Sequence, residues 1–284
     1  MKKIAIIGTE NSHASAFANL LANNEKVKII GAFGTEPEAN QRFSEKFGID
    51  CSAASAADFA DEVDGVMITS RKGSTHFDSA LPYLTEGKTV FIDKPITVDV
   101  DQSLTLARIA KENNVKLCGG SCIKYSEVLA KLKREIARTE EDVCAANFCA
   151  PVELESPHDG FFFYAQHLVE MCLSIFGNGV KTVYAVRCGD KVCATLNYGS
   201  FAATLSFGSN IYHTTIVFRN FERHANINNV VKLYANELNY FLSLLGGRKM
   251  RYSYDEVIFP VIILNAINDS FRTGKEIAVP DIRS

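Results

Sequence analysis

Three side chains in this sequence have the types and spacing that acid–base chemistry requires. Lys94 follows Asp93 and the apolar run 89–92, and Tyr164 and His167 lie three residues apart in a helical stretch, which puts them on one face. Histidine, with a pKa of about 6.5, suits a general base, and a lysine cation stabilises a developing negative oxygen. The simpler alternatives are a hydrogen-bonded core histidine and an exposed strand end. The carboxyl end of a parallel strand is a usual ligand position, which favours function at Lys94.

The segment before residue 120 predicts the scaffold for these groups. Apolar β-branched runs alternate there with helical stretches, which predicts a doubly wound α/β fold with a parallel sheet covered on both faces. The predicted strands are 4–7, 27–33, 65–68, 89–92 and 115–118. The predicted helices are 12–22, 37–47, 76–86 and 100–113.

After Gly119 and Gly120 the pattern changes to that of an α+β domain. Several short strands follow one another with tight turns, which predicts a mainly antiparallel sheet. The predicted strands are 143–150, 182–188, 192–197, 201–207 and 212–218, and the predicted helices are 126–138, 163–176, 229–245 and 253–273. We therefore expect two domains, 1–121 and 122–284.

The first strand–helix junction carries part of the glycine fingerprint of dinucleotide-binding domains. Of the pattern G-x-G-x-x-G only Gly8 remains, because Glu10 and His13 take the places of the second and third glycines. A helix that starts at Ser12 offers backbone N–H groups to a phosphate, although Glu10 would repel it. Capping and closing the first helix is the simpler role for Glu10 and His13.

The end of the second predicted strand bears on the choice of dinucleotide. It reads Phe33-Gly34-Thr35, where an acidic residue would hold the adenosine ribose hydroxyls. That acid is missing, and no arginine stands beside Gly34 and Thr35 to attract a 2′-phosphate. NAD and NADP therefore both remain open.

Residues 90–96, Val-Phe-Ile-Asp-Lys-Pro-Ile, resemble the E-K-P motif of the Gfo/Idh/MocA family in a D-K-P form. Upstream, residues 63–70, His76 and 87–88 look like the family's stretch leading to that motif. Downstream, residues 119–125 resemble its interdomain R-Y segment, with Lys124 for Arg before Tyr125. Residues 163–170 resemble its G-x-H-x-x-D helix, with Glu170 for Asp, and residues 254–275 resemble the family terminus. The resemblance covers nearly the whole chain.

The resemblance implies a Rossmann domain that binds NAD or NADP, a C-terminal substrate-binding and oligomerisation domain, and hydride transfer between nicotinamide and a sugar, polyol or related cyclic alcohol. It places Lys94 between nicotinamide and substrate, with His167 reaching the same cleft. The catalytic residues would be Lys94, His167 and Tyr164, and the substrate-binding residues Lys94, Lys124, Tyr125, Tyr164 and His167. The cofactor-binding residues would be Gly8, Thr9, Glu10, Asn11, Ser12, His13, Gly34, Thr35, Thr69, Ser70, His76, Asp93, Lys94 and Pro95.

Three departures keep other functions open. Phe163 stands where the family has an Asp four residues before its His, the glycine fingerprint is incomplete, and the ribose acid is missing. A non-catalytic ligand-sensing or regulatory protein of the same fold is therefore the main alternative. A third reading, elimination or hydrolysis with a tightly held cofactor, predicts no net change in nicotinamide absorbance. Substrate specificity is expected in the loops 152–162 and 219–229.

Composition restricts the partners. The 284 residues carry a formal net charge of -3, which gives no reason to expect nucleic acid or an anionic membrane surface. The opening apolar run is too short for a signal sequence or membrane span, so we expect a cytoplasmic protein with its eight cysteines reduced and buried. Cysteine spacing indicates no metal site.

Apolar residues in the second predicted sheet favour a homodimer or higher homo-oligomer, and the alternative is a sheet with one polar face. These apolar residues are Val183, Ala185, Leu205 and Ile216.

Overall fold

The computed structural model describes residues 1–227 and 231–282 and divides into two compact units. The first unit comprises Met1–Gly120 and Tyr234–Ile258, and the second comprises Ser121–Leu233 and Phe259–Ser284. The first crossing lies one residue from the predicted boundary. The return of Tyr234–Ile258 to the first unit was not predicted. That the second unit binds substrate stays a prediction.

The first unit contains a five-stranded parallel sheet in the order β2-β1-β3-β4-β5. Its strands are β1 (Lys2–Ile7), β2 (Val27–Phe33), β3 (Gly65–Ile68), β4 (Thr89–Asp93) and β5 (Leu117–Gly120). Its helices between strands are α1 (Ser12–Leu21), α2 (Pro37–Phe47), α3 (His76–Thr85) and α4 (Val100–Glu112). This confirms the predicted doubly wound half. The strand predicted at 115–118 is instead β5, which starts at Leu117 and ends at Gly120. Its end was missed because Gly119 and Gly120 have low strand propensity.

The strand order fixes where a ligand can bind in the first unit. The order reverses at β1, between β1 and β3, and the crevice outside the carboxyl ends of strands at such a point is the usual ligand site. Aromatic side chains pack α1 against β4 behind this edge: the ring centroid of Phe17 in α1 lies 5.5 Å from that of Phe91 in β4, which lies 6.0 Å from that of Phe241. Phe241 belongs to α7 (Val231–Leu245), which therefore contributes to the first unit's core.

The second unit contains a seven-stranded sheet in the order β11-β10-β6-β9-β8-β7-β12. Its strands are β6 (Val143–Ala150), β7 (Thr182–Cys188), β8 (Lys191–Asn197), β9 (Ala202–Phe207), β10 (His213–Phe218), β11 (Glu222–Asn226) and β12 (Ile277–Ala278). Its helices are α5 (Glu127–Ile136), α6 (Phe162–Phe176) and the later part of α8 (Tyr254–Thr273). The pair β6 and β9 is parallel, and the other described pairs are antiparallel, so the prediction of a mainly antiparallel sheet is confirmed.

The segment 219–229 differs from its prediction as a specificity loop. Residues Glu222–Asn226 form β11, which pairs with β10 at the edge of the sheet. This strand begins with the polar residues Glu-Arg-His and buries only Ala225, so it lacks the alternating apolar pattern that predicts a strand. Residues 228 and 229, including the first residue of predicted helix 229–245, lie outside the described residues.

One face of the second sheet is covered within the chain. Side chains alternate between buried and open along β7 to β10, and Ser270 of α8 accepts the backbone N–H of Ala185 through Oγ at 2.8 Å. Val183, Ala185, Leu205 and Ile216 are at most 1% exposed, so the prediction that they form a subunit contact is wrong. The open face carries Tyr184 and Val186, 46% and 43% exposed.

The cysteines differ in exposure. None of the eight, all of which lie among the described residues, forms a disulfide. Cys118, Cys122 and Cys172 are buried as predicted, and burial raises the pKa of Cys172 to about 12. The predicted burial is wrong for the remaining exposed thiols, Cys144, Cys188 and Cys193.

Nowhere within residues 1–227 and 231–282 do three or more His, Cys, Asp or Glu side chains gather as metal ligands would. No helix described there has the length and apolar content needed to cross a membrane.

Candidate functional site

Gly8 brings two loops of the first unit into contact at the carboxyl edge of the sheet. Its φ is +103°, and an added Cβ would lie 2.2 Å from the backbone N of Ser70, so only glycine allows this approach. Thr69 donates from Oγ1 to the Ile7 carbonyl at 2.9 Å, and Asn11 donates from Nδ2 to the Thr69 carbonyl at 2.6 Å. The β1–α1 and β3–α3 loops therefore form one rigid surface.

The residue in the third glycine position, His13, joins a partly buried chain of hydrogen bonds. His13 Nδ1 lies 2.5 Å from Asp93 Oδ2, and His13 Nε2 lies 2.8 Å from Tyr234 Oη. Burial raises the pKa of Asp93, but attraction to His13 and Lys94 and their hydrogen bonds outweigh burial and hold that pKa below its ordinary value. The first turn of α1 is capped by Asn11, whose Oδ1 accepts the His13 N–H at 3.1 Å.

The D-K-P motif occupies the end of β4 and the turn after it. Asp93 accepts the Lys94 backbone N–H through Oδ1 at 2.8 Å, and the Lys94 side chain is buried, with 5% of the residue exposed. His76 is fully buried, and its ring nitrogens lie 2.7 Å from the Pro95 carbonyl oxygen and 2.9 Å from the Ser70 carbonyl oxygen. His76 thus ties the motif to the β3–α3 loop.

A cavity of about 370 Å³ adjoins the start of α1 and one side of α2. Its lining includes Thr9, Glu10 and Ser12 together with three cationic side chains. These cations are Arg42, Lys46 and Arg71. The sequence places no arginine beside Gly34 and Thr35, but chain folding brings Arg42 and Arg71 to the cavity that Thr9 lines.

The end of β2 is fixed by a short network. Thr9 donates from Oγ1 to Asn40 Oδ1 at 2.6 Å, and Asn40 donates from Nδ2 to the Gly34 carbonyl at 2.8 Å. Thr35 is exposed beside it. Gly34 and Thr9 are therefore brought together as predicted cofactor-binding residues should be, but the roles of both stay predictions.

A buried ion pair anchors the second unit's polar cluster. Lys124 Nζ lies 2.8 Å from Glu170 Oε2, with side chains 7% and 3% exposed. Glu170 Oε1 also accepts the Ser121 N–H at 2.8 Å and the Gln166 amide at 2.5 Å. The substitutions Lys124 for Arg and Glu170 for Asp thus keep an opposite-charge pair. Substrate binding by Lys124 and by the buried Tyr125 stays a prediction.

His167 lies in the same cluster with a fixed ring. Its Nδ1 is 2.6 Å from Ser121 Oγ, and its ring centroid lies 5.9 Å from those of Tyr164 and Tyr212. The predicted shared face of Tyr164 and His167 is therefore present in α6. Burial, with smaller effects of Cys122 and Tyr164, raises the pKa of Tyr212 above its ordinary value.

Several site residues carried no usable sequence signal. Ser121 and Tyr212 flank His167, and Asn40 and Tyr234 contact predicted cofactor-binding residues. Tyr234 lies 221 positions from His13, so local spacing does not reveal their contact. The basic residues Arg42 and Arg71 resemble ordinary surface residues until α2 and the β3–α3 loop are placed together.

Comparisons with known proteins bear on the family resemblance and on the fold. Residues 2–121 match the Gfo/Idh/MocA oxidoreductase family model, described as an NAD-binding Rossmann fold. This match confirms the predicted resemblance over these residues. No curated protein matches the chain by sequence.

Solved structures extend the likeness over both units. A myo-inositol dehydrogenase from Corynebacterium glutamicum matches with a TM-score of 0.83 and 16% identity, covering 99% of each chain. A scyllo-inositol dehydrogenase from Lactobacillus casei, with bound NAD(H) and scyllo-inositol, matches at 0.85 and 15%, covering 98% of this chain and 99% of that one. GenD2 from gentamicin A biosynthesis, in complex with NAD, matches at 0.86 and 14%, covering 99% and 97%. At these identities the matches show that the chain shares the fold.

Proposed function

We propose that this protein is an NAD(P)-dependent oxidoreductase that transfers a hydride between nicotinamide and a sugar, polyol or related cyclic alcohol. The observation that carries the proposal is the buried Lys94 at the carboxyl end of β4, in a domain that matches an NAD-binding Rossmann family model. Inositol dehydrogenases share the fold, which makes cyclic polyols the first substrates to test.

The residues of the first unit fit a nicotinamide dinucleotide. Gly8 lets the β1–α1 and β3–α3 loops meet, α1 begins at the sheet's carboxyl edge, and the adjoining cavity carries Arg42, Lys46 and Arg71. These cations offset the negative charge of Glu10 toward a phosphate-containing ligand. When bound, the nicotinamide ring would accept the hydride from the substrate carbon.

Three side chains have proposed roles at the reacting group. His167 takes the hydroxyl proton as the carbonyl forms, and its ring is oriented by the Ser121 hydroxyl, which fills the orienting role that Phe163 cannot. Lys94 stabilises the developing alkoxide. Tyr164, on the His167 face of α6, supplies a third polar group to orient the substrate hydroxyl.

The first experiment is calorimetric titration of purified protein with NAD⁺, NADH, NADP⁺ and NADPH, after a check for copurified cofactor. We expect one nicotinamide pair to bind, and the reduced-nicotinamide absorbance to rise with myo-inositol, scyllo-inositol or another polyol. Folded, cofactor-free protein that binds none of the four would overturn the proposal.

A ligand-sensing function is the second candidate. The observation in its favour is Glu10 in the place of the second fingerprint glycine, where a carboxylate opposes a pyrophosphate. A sensor would bind a polyol or nucleotide without turnover. Binding with turnover but no net absorbance change would instead indicate elimination or hydrolysis with a retained cofactor.

A further inference from the structure

The acid that the sequence lacks at the end of β2 is replaced by an acidic side chain from another loop, which lies beside the same position. Gly34 occupies the expected position, and a Cβ built on Gly34 would lie 3.1 Å from Glu10 Oε2. The carboxylate of Glu10, carried by the β1–α1 loop, therefore stands where a side chain at position 34 would begin. Glycine at 34 leaves room for this arrangement, since the same Cβ would also lie 2.1 Å from Thr9 Oγ1, which would have to move.

One oxygen of this carboxylate is held and the other lacks a protein partner. Glu10 Oε1 accepts the backbone N–H of Arg71 at 3.3 Å. Glu10 Oε2 is shielded from solvent and has no hydrogen-bond partner within residues 1–227 and 231–282. A buried carboxylate oxygen without a donor is costly, and such atoms in native proteins call for an explanation. Glu10 lines the 370 Å³ cavity, so a rotation of its side chain would bring this oxygen to a ligand there that supplies the donor.

We propose that Glu10 accepts hydrogen bonds from the adenosine ribose hydroxyls and makes the protein select NAD over NADP. This inference rests on the proposed function and assigns its cofactor specificity. The 2′-hydroxyl of NAD donates to the unpartnered oxygen, whereas the 2′-phosphate of NADP offers no comparable donor and places like charge against the carboxylate.

Two of the three cations of the cavity act in the opposite direction but more weakly. Arg42 is 67% exposed and lies 3.7 Å from Glu38, and Lys46 is also exposed, so water and salt screen their charges. The Glu10 carboxylate is fixed at one oxygen and shielded at the other. Its removal should therefore leave a pocket in which these cations attract a 2′-phosphate.

The test is calorimetric titration of wild type, Glu10→Gln and Glu36→Gln with NAD⁺ and NADP⁺. Glutamine keeps the shape of Glu10 and removes its charge. Glu36 is an exposed acid two residues beyond Gly34 that makes no side-chain cap, so Glu36→Gln controls for loss of one nearby negative charge. Thermal unfolding establishes that each variant is folded.

We expect wild type to bind NAD⁺ at least about 10-fold more tightly than NADP⁺, as loss of a charged hydrogen bond implies. Glu10→Gln should weaken NAD⁺ about 10-fold and strengthen NADP⁺, while Glu36→Gln changes either by less than about 2-fold. ADP should bind wild type more tightly than 2′-deoxy-ADP, and Glu10→Gln should lose that difference.

Other outcomes separate this inference from the proposed function. Wild type that binds NAD⁺ while Glu10→Gln binds both dinucleotides unchanged would overturn the role of Glu10 alone. The role of Glu10 would also be overturned if wild type bound NADP⁺ more tightly than NAD⁺, or if Glu36→Gln changed the two affinities as Glu10→Gln does. Folded wild type that binds neither dinucleotide would overturn the proposed function and this inference together.

Discussion

Lys94 is the residue on which turnover should depend most strongly. It is buried at the end of β4, where its cation is proposed to stabilise an alkoxide. Lys94→Ala should lower kcat about 10²- to 10³-fold with an unchanged circular dichroism spectrum. Lys28→Ala, which removes an exposed lysine from β2, is the matched control. A fully active Lys94→Ala protein would disprove the proposed site.

Asp93 should make the stability of the first unit dependent on pH. Its folded-state pKa is held below the ordinary value, so its contribution is complete above the unfolded pKa of about 3.9 and is lost as pH falls through the folded pKa. Asp93→Asn should lower the free energy of unfolding by about 3 kcal/mol at pH 7, because the His13 pairing is broken.

Denaturant unfolding at a series of pH values measures this effect. The difference between wild type and Asp93→Asn should shrink as pH falls below about 4. A difference that stays constant across that range would show that the Asp93 carboxylate charge does not stabilise the fold.

At this scale the sequence predicted groups that share a motif or a helical turn. Asp93 with Lys94, and Tyr164 with His167, could be selected because their spacing is local. The partners Ser121, Tyr212 and Tyr234 come from other elements and carry no spacing signal. The replacement of the ribose acid by Glu10 depends on two loops meeting at Gly34, which no linear pattern reveals.

The β1–α1 junction is the element whose geometry tolerates least change. Gly8→Ala would combine a positive φ with a backbone overlap at Ser70 and should cost about 3 kcal/mol of stability. Gly48→Ala is the matched control: Gly48 also has a positive φ, +65°, but nothing lies within 4 Å of the added Cβ, so about 1 kcal/mol is expected.

Thermal and denaturant unfolding of the two variants provide the measurement. Equal destabilisation by Gly8→Ala and Gly48→Ala would mean that the close approach of the two loops is not needed. A larger loss for Gly8→Ala, together with weaker nucleotide binding, is the expected result.

Most elements were predictable because their side-chain periodicity is strong. Strands 27–33, 65–68, 143–150 and 182–188 and helix 37–47 match their predicted bounds. The edge strand β11 was not predicted because most of its residues are polar. The bounds of β5 were predicted two residues too early because the strand ends in two glycines. The parallel pairing of β6 with β9 could not be predicted, because it joins strands separated by α6, β7 and β8.

Oligomerisation remains a proposal for the whole molecule, now directed to the open face of the second sheet. Tyr184 and Val186 are large apolar side chains exposed there, and burying them would favour a homodimer. Tyr184→Asp combined with Val186→Asp should convert a dimer to a monomer in sedimentation velocity, with circular dichroism unchanged. A monomeric wild type at working concentration would refute the proposal.

Of the three points at which the chain passes between the two units, the sequence pattern indicated only the first. The change of pattern at Gly119 and Gly120 located the first crossing to within one residue. The second and third crossings fall inside α7 and α8. A continuous helical periodicity gives no sign that its two ends pack in different units.

The first unit is built from two separate segments of the chain, and this affects how it can fold during synthesis. When the ribosome has made Gly120, the parallel sheet lacks Phe241, which packs on Phe91, and Leu245, which lies beside Gly65. The nascent domain must wait for more than 110 further residues, those between Gly120 and Tyr234, before its core can close. Folding during translation therefore cannot proceed strictly from the N-terminus, and the earlier-made half stays open to chaperones until the later half has emerged.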